Sequence, residues 1–125
     1  MLEVFGDKWS LIIIRDIMFA GKRYFRELLN SEEKIASNIL TDRLVMLERE
    51  GIINKVDDPA HKQKNIYSLT EKGIDLLPVI VEIGRWSLKH KPVDLEKYKH
   101  AEDLVKSGKE GLVKVRKDLV KEHLK

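Results

Sequence analysis

Residues 33–55, EKIASNILTDRLVMLEREGIINK, contain an amphipathic helix that begins with polar side chains and ends at a glycine. Three leucines spaced four and three residues apart mark the face that packs on the rest of the domain: Leu40, Leu44 and Leu47. At about 100° per residue, Asn38 and Asp42 lie nearly opposite these leucines. Three hydrogen-bonding side chains open the helix: Ser37 at its N-terminal end, Asn38, and Thr41 on the flank. This pattern is typical of a helix that contacts something outside its own domain.

The composition is that of one soluble, helix-rich domain. Of the 125 residues, 42% are hydrophobic and 36% are charged, which excludes a disordered chain. There is no cysteine, so neither a disulfide scaffold nor a cysteine-ligated zinc site can form within it. The histidines share no metal-ligand spacing and are expected at the surface: His61, His90, His100 and His123. We therefore expect neither a metal nor a cofactor.

Hydropathy and charge bear on the location of the protein and on the way in which it can bind an anionic partner. No apolar run approaches the ~18 residues that a membrane span requires, and the N-terminal MLEVFGDKW lacks the features of a secretory signal. We therefore expect a cytoplasmic protein without a membrane partner. The net charge of +3 is spread along the chain, so binding to an anionic polymer must use a local patch.

Two helices are predicted ahead of the amphipathic helix. The segment DKWSLIIIRDIMFAG, residues 7–21, has two apolar lines, which indicates a helix that is central in the domain or shared with a partner subunit. The segment YFRELLNS, residues 24–31, predicts a short helix with Phe25, Leu28 and Leu29 inward. The amphipathic helix is therefore the third.

Two strands are predicted next. The segments IINKV and NIYSL are typical of strands over residues 52–56 and 65–69. Between them lies DDPAHKQK, a polar, proline-containing stretch over residues 57–64. We expect it to form a loop that is too long for a two-residue hairpin.

A long helix is predicted over residues 71–90. Thr70 is a good N-cap, and apolar spacing continues beyond Pro78, so we expect this proline to kink the helix and not to end it. Its second apolar line consists of Val79, Ile83 and Trp86. A domain of this size has too few remaining residues to bury this line. With the second line of the 7–21 helix, it predicts a homodimer through the first and the C-terminal helices.

The composition changes after Pro92. Residues 92–125 are charge-rich and predict two helices that separate at residues 107–108. They share a narrow apolar stripe: Leu112, Val115 and Leu119. We therefore divide the chain into a domain over 1–91 and a helical extension over 92–125, which serves dimerisation or packs on the core.

The order of these elements is that of a winged helix-turn-helix, a mainly α fold with a small β-hairpin (α+β). In this architecture the third helix lies in the DNA major groove and contacts bases with its first residues. Residues 36–50 are thus the expected recognition helix: Asn38 can pair with adenine, and the hydroxyls of Ser37 and Thr41 can bond bases or phosphates. The 57–64 loop is the expected wing on the sugar-phosphate backbone.

Four segments resemble the HxlR-type transcriptional regulators of bacteria and archaea in order and spacing: GDKWSLIIIRDIM, KRYFREL, IASNILTDRLVMLEREGII and YSLTEKG. The resemblance implies a homodimeric regulator that binds double-stranded DNA in a sequence-specific way and has no catalytic activity. It implies DNA contacts from the recognition helix and from the wing: Ser37, Asn38, Thr41 and Arg43, and His61, Lys62 and Lys64.

The chain departs from this family in three places, one of which is the tail beyond residue 92, which goes beyond the family's common core. Ala36 stands where the family usually has a Ser or Thr helix cap, so we expect a looser start to the recognition helix. Family members often carry an N-terminal segment with a cysteine, which some use to sense oxidants or electrophiles, and this chain starts after that point. Either the chain is trimmed or this member is not a thiol sensor.

Several positions have an alternative interpretation. The polar residues of the recognition helix could be solvent-facing turn residues, and the wing lysines could be ordinary solvated ones. Asp42 could accept from cytosine N4 or could orient Arg43. Arg23 and Arg26 could contact phosphates or be solvated.

Other function classes are weighed against the regulator. An enzyme is not expected, because nothing near the adjacent acidic pairs supplies a base, a nucleophile or a phosphate-binding loop. The main alternative is a winged-helix module for protein–protein interaction without specific DNA binding, and DNA binding at moderate salt separates the two. A small-molecule effector is left open, with a pocket between Trp9 and Trp86 as a hypothesis.

Overall fold

The structure is a computed structural model that describes residues 2–90 and 99–124, without the side chains of residues 2–3, 61–63 and 99–102. These ranges form helices and a two-stranded antiparallel sheet: α1 Leu2–Phe5, α2 Lys8–Phe19, α3 Phe25–Leu29, α4 Ser37–Arg49, β1 Ile53–Asp58, β2 His61–Leu69, α5 Glu71–Ile74, α6 Leu77–His90 and α7 Lys99–His123. The predicted mainly α fold with one β-hairpin is confirmed.

Helix α2 is central, and both of its apolar lines reach the core. Asp7 caps its start, because the carboxylate accepts the backbone N–H groups of Trp9 and Ser10 at 2.9 and 3.1 Å. Gly21, at φ +66°, turns the chain after its end. Side chains of both lines are at most 7% exposed: Ile13, Ile14, Ile17 and Met18. The expectation that α2 offers a spare apolar line to a partner subunit is therefore wrong for these residues, because its own domain covers them.

Helix α4 agrees closely with the prediction of 36–50, since Ala36 and Glu50 are its cap residues. Its leucines are 0–4% exposed and fix the helix in the core, where α4 packs against α2: Leu40, Leu44 and Leu47. Gly51, at φ +75°, provides the left-handed turn that ends it. As expected, Ala36 makes no side-chain cap bond.

The hairpin is longer and its turn is shorter than predicted. Strands β1 and β2 pair antiparallel, with a register shift next to Asp58, and residues 59–60 connect them. The Asp58 carboxylate accepts the N–H of Ala60 at 2.9 Å and the hydroxyl of Tyr24 at 2.7 Å. These bonds close the turn and tie it to the start of α3. The prediction of a long loop over 57–64 is therefore wrong, because its polar composition concealed strand residues.

Two helices replace the single kinked helix predicted over 71–90. Thr70 caps α5, since its hydroxyl oxygen accepts the N–H of Gly73 at 3.1 Å, and α5 ends at the cap residue Asp75. Pro78 lies in the first turn of α6, where its missing N–H costs no helical hydrogen bond. The prediction that Pro78 kinks a continuous helix is wrong, because the chain restarts a helix there.

Helix α7 packs against its own domain. Leu119 is 4% exposed within the core, and Leu112 and Val115 pack half-buried beside it. Gly108, at φ +64°, breaks the helix at the predicted separation. The C-terminal stripe is thus in contact with the core of the same chain. The predicted domain boundary falls among residues 91–98, outside the described ranges, and stays a prediction.

His123 is buried, so the expected surface position is wrong for this histidine. It is 7% exposed, and its Nδ1 accepts the backbone N–H of Leu69 at 3.1 Å, while its Nε2 has no hydrogen-bond partner among the described residues. Burial lowers the pKa of His123, the charge of Arg23 lowers it further, and Glu122 acts in the opposite direction. The end of α7 is therefore held on β2 by a neutral imidazole.

Candidate nucleic-acid interface

The start of α4 presents an exposed polar face. Ser37, Asn38, Thr41 and Asp42 are all exposed. Asn38 and Asp42 lie opposite the buried leucines, and Thr41 lies on the flank. Because Ala36 supplies no side-chain acceptor, the cap leaves the first backbone N–H groups of α4 open to an outside acceptor such as a phosphate. The structure thus brings three of the predicted contact residues together at one helix end, Ser37, Asn38 and Thr41.

Thr41 already uses its hydroxyl hydrogen. Its Oγ1 donates to the backbone carbonyl of Ser37 at 2.9 Å, one turn earlier in the helix. The oxygen keeps its acceptor capacity. In this conformation Thr41 can therefore accept a hydrogen bond from a nucleic acid but cannot donate one.

Arg43 lies on the flank of this face and is directed at the protein. Its Nε donates to Asp7 Oδ1 at 3.1 Å, and its Nη1 bonds the carboxylate of Asp42. The hydrogen bond with Asp7 raises the pKa of Arg43. Partial burial acts to raise the pKa of Asp7, but hydrogen bonds from Arg43 and Ser10 outweigh it and hold that pKa below its ordinary value. Arg43 therefore ties α4 to the N-cap of α2, and Asp42 orients it, one of the two roles weighed for Asp42.

A bidentate ion pair fixes the turn that leads into α4. Arg15 on α2 donates to both carboxylate oxygens of Glu33 at 2.7 and 2.8 Å, and to Asp16 at 2.8 Å. The hydrogen bond from Arg15 lowers the pKa of Glu33. Ser31 Oγ accepts the N–H of Ile35 at 3.1 Å in the same turn. The turn and the start of α4 are therefore positioned by α2, through contacts that the sequence analysis missed.

Arg23 is engaged by other groups of the protein and is not simply solvated, while a phosphate contact from it stays a prediction. Its Nε donates to the carbonyl of Tyr67 at 2.7 Å, and its Nη2 donates to the hydroxyl of Ser68. Its Nη1 lies 3.5 Å from the carboxylate of Glu122 on α7. The guanidinium thus joins the start of α3, strand β2 and α7. Arg26 is exposed, and neither of its alternatives is decided.

The hairpin carries the predicted wing cations beside α3. Lys64 is exposed, and its Nζ lies 5.6 Å from the centroid of the Tyr24 ring, within range of a cation–π contact. His61 and Lys62 lie on β2, and their side chains are outside the described residues. Tyr24 therefore links Lys64 and, through Asp58, the hairpin turn to the helix-turn-helix.

The described ranges provide no second chemistry at this face. They hold no cluster of His, Asp and Glu that could bind a metal ion. No helix in the described part has the length and apolarity to cross a membrane. Two surface recesses are described, one along α7 and one between α1 and α5, and neither is lined by Trp9 or Trp86. The effector pocket between these two tryptophans stays a hypothesis.

The fold and this exposed helix define a winged helix-turn-helix protein of the kind that binds DNA. The chain belongs to the HxlR-like helix-turn-helix family, whose model matches residues 4–94. It is similar to YdeP of Bacillus subtilis (strain 168), an uncharacterized HTH-type transcriptional regulator, with 37% identity over 106 residues that cover 83% of this chain and 82% of YdeP. The predicted family is therefore confirmed.

Solved structures agree with this assignment. The fold resembles that of PA1607, a suggested transcription factor, with a TM-score of 0.67 and 36% identity over 74% of this chain. The match spans 63% of PA1607, less than two thirds of its length. The reduced form of the transcriptional regulator YodB from B. subtilis is also similar, with a TM-score of 0.60 and 30% identity over 74% of this chain and 91% of YodB.

Proposed function

We propose that this chain is a homodimeric transcriptional regulator that inserts α4 into the major groove of double-stranded DNA and lays the β1–β2 hairpin on the sugar-phosphate backbone. The outer face of α4 carries the proposal. Its first two turns are polar and exposed, and a buried leucine line holds them rigidly on the domain. Helices in this arrangement contact base edges with their N-terminal residues. The family and the regulators named among the relatives support the same function.

Each polar residue of α4 has a role that follows from its free atoms. The Asn38 amide has donors and an acceptor in one plane, which match N7 and N6 of adenine. Ser37, in the first turn beside the uncapped N–H groups, suits a phosphate. Thr41 accepts from an exocyclic amino group, since its own hydrogen is engaged. Arg43 contributes chiefly by holding α4 against Asp7, and a base or phosphate contact from it stays a prediction.

The wing supplies affinity that does not depend on sequence. Lys64 is held near the helix-turn-helix by the Tyr24 ring, and Lys62 and His61 precede it on β2. Lysines on a hairpin neutralise phosphates and release counterions, so their contribution weakens as salt increases. We expect all three to contact the backbone and none to read a base.

A second copy of the chain covers the exposed line of α6. Ile83 and Trp86 are 48% and 54% exposed, and Val79 is 47% exposed one turn earlier. The ion pair of Arg85 and Glu82, at 3.4 Å, provides a polar border beside them. An isologous two-fold contact along this line would bury the same face on both subunits. It would also carry two α4 helices to half-sites spaced by about one helical turn of DNA, roughly 34–36 Å.

The proposal also covers location and the lack of catalysis. A regulator of this family works where the prokaryotic chromosome lies, so we expect it in the cytoplasm. The family and relatives are named for regulation and not for a reaction, so we propose that it has no enzymatic activity.

Selection of bound sequences from a random double-stranded DNA pool tests the proposal. We expect the full chain, at moderate salt, to enrich a pseudo-palindrome of two similar half-sites. Asn38→Ala should change the preference at one base pair of each half-site. If no sequence is enriched and binding to all DNA is uniformly weak, α4 does not read DNA and the interaction-module interpretation gains support.

A further inference from the structure

One large apolar side chain, Val45, stands on the outer face of α4 among the polar ones. It is 57% exposed although it lies within the helix, away from both ends. Thr41 precedes it by one turn and Asn38 by two. With Asp42, these residues have the spacing i, i+3, i+4 and i+7, which forms one continuous line on a helix.

The same spacing is used for base contacts by the third helix of homeodomains in the major groove. Seven residues of α-helix rise about 10.5 Å, which corresponds to roughly three base-pair steps of 3.4 Å each. When Asn38 contacts a base edge and the helix follows the groove, Val45 therefore comes near a base pair about three steps away.

The chemistry of valine selects one group at that position. Its side chain neither donates nor accepts a hydrogen bond, and the apolar group that base edges display in the major groove is the C5-methyl of thymine. Val45 itself offers no acceptor to a cytosine amino group, so valine also disfavours that base at this position.

We propose that Val45 is a specificity-determining residue that recognises the C5-methyl group of a thymine, about three base pairs from the base that Asn38 contacts. The inference rests on the proposed insertion of α4 into the major groove. Burial of one methyl group between Val45 and the base is expected to change affinity about fourfold. Because Val45 is 57% exposed, its truncation should change little packing within the domain, and Val45→Ala should fold and dimerise as the wild type does.

Uracil substitution in the selected DNA site tests this role, because uracil lacks only the methyl group of thymine. Each thymine of one half-site is replaced singly, and dissociation constants are measured for the wild type, Val45→Ala and Val113→Ala. Val113, on α7, is a matched control because it is 54% exposed and undergoes the same truncation. We expect uracil at one position to weaken wild-type and Val113→Ala binding about fourfold and to leave Val45→Ala binding unchanged.

Three results would overturn the role of Val45. They are a selected site without a thymine at that distance, a wild type indifferent to uracil at every position, and a Val45→Ala response equal to that of the wild type. In each case a selected site together with an Asn38→Ala effect would leave the proposed function intact. Failure to enrich any site would reject the proposed function, and the role of Val45 with it.

Discussion

Helices α2 and α6 have the same sequence pattern, two apolar lines on one helix, and the structure covers them differently. On α2 the second line is buried, with Ile14 0% and Met18 7% exposed. On α6 the second line is open, with Ile83 48% and Trp86 54% exposed. The cause is position, because α2 lies among α1, α3, α4, β2 and α6, whereas α6 packs mainly against α7 and α2.

The contrast teaches that periodicity identifies an apolar face but not what covers it. A small domain has one central position, and the helix that occupies it can bury two apolar lines. A second helix of the same pattern must leave a face open, and an open apolar face of this kind marks an interaction site. The open α6 line is therefore the proposed contact for a partner subunit.

The largest expected effect is a difference in stability between the same isoleucine-to-alanine truncation on α2 and on α6. Ile14→Ala should lower the free energy of unfolding by about 2–5 kcal/mol, because it leaves a cavity in the core. Ile83→Ala should change it by no more than about 0.5 kcal/mol in dilute protein, where dimerisation contributes least. Urea unfolding of both variants measures the difference. Similar losses in the two would mean that α6 is covered as fully as α2.

Charges on the open line should separate the subunits. Ile83→Glu combined with Trp86→Glu should give a folded monomer in sedimentation, because two carboxylates would be buried in each half of the interface. Specific DNA affinity should then fall toward the non-specific level, while residual non-specific binding persists. Val113→Glu, an equally exposed position on α7, is the control and should remain dimeric. Sedimentation of the wild type as a monomer at micromolar concentration would reject the α6 interface.

The open face of α4 is polar, whereas that of α6 is apolar. Truncation of a polar side chain on α4 should therefore weaken DNA binding and leave the dimer intact. Asn38→Ala should cost about 1–3 kcal/mol on the selected site if the amide pairs with a base, and little on random DNA. Binding titrations on both DNAs, with sedimentation as a check on the dimer, measure this. Equal losses on both DNAs would make Asn38 a backbone contact.

The sequence could predict those features that depend on local spacing. The leucine line of α4 and its glycine end both follow from residues within a few positions of one another. It could not predict contacts between distant residues, such as Arg43 with Asp7, 36 positions away, or His123 with Leu69, 54 positions away. Both depend on the finished fold, which brings polar groups together that have no pattern along the chain.

The two incorrect predictions, for the hairpin and for α6, each have an identifiable cause in the fold. The turn of the hairpin depends on one carboxylate, Asp58, which bonds both a backbone N–H and the hydroxyl of Tyr24. The polar composition of residues 57–64 alone predicted a loop. Pro78 was compatible with a kink and with a new helix, and only the position of Thr70 and α5 on the hairpin decides between them.

The wing should have a smaller effect, and one that depends on salt. Lys62→Ala with Lys64→Ala should weaken binding to all sequences alike and reduce the slope of log affinity against log salt by about 0.9 for each lost phosphate contact. Lys117→Ala with Lys121→Ala, on the exposed side of α7, removes the same charge and should leave the slope nearly unchanged. A slope that falls equally in both pairs would reflect net charge and not a wing contact.

The smallest expected effect is the pH dependence of stability that arises from His123, which is buried where α7 packs against β2. Its pKa lies below the ordinary value because the imidazole is buried near Arg23, so the unfolded chain binds this proton more readily than the folded one. The sign follows: the contribution of His123 to stability is complete above about pH 6.5 and is lost as the pH falls toward the lowered pKa. One proton limits the change in the free energy of unfolding to about 1.4 kcal/mol per pH unit.

The variant His123→Asn tests this effect, because it keeps an acceptor for the Leu69 N–H but does not titrate. The free energy of unfolding of this variant should vary less between pH 5 and 7 than that of the wild type. The carboxylates with lowered pKa, Asp7 and Glu33, titrate below this window and affect both proteins alike. Parallel curves for the two proteins over this range would show that protonated His123 is tolerated where it lies, and that a neutral imidazole is not needed to hold α7 on β2.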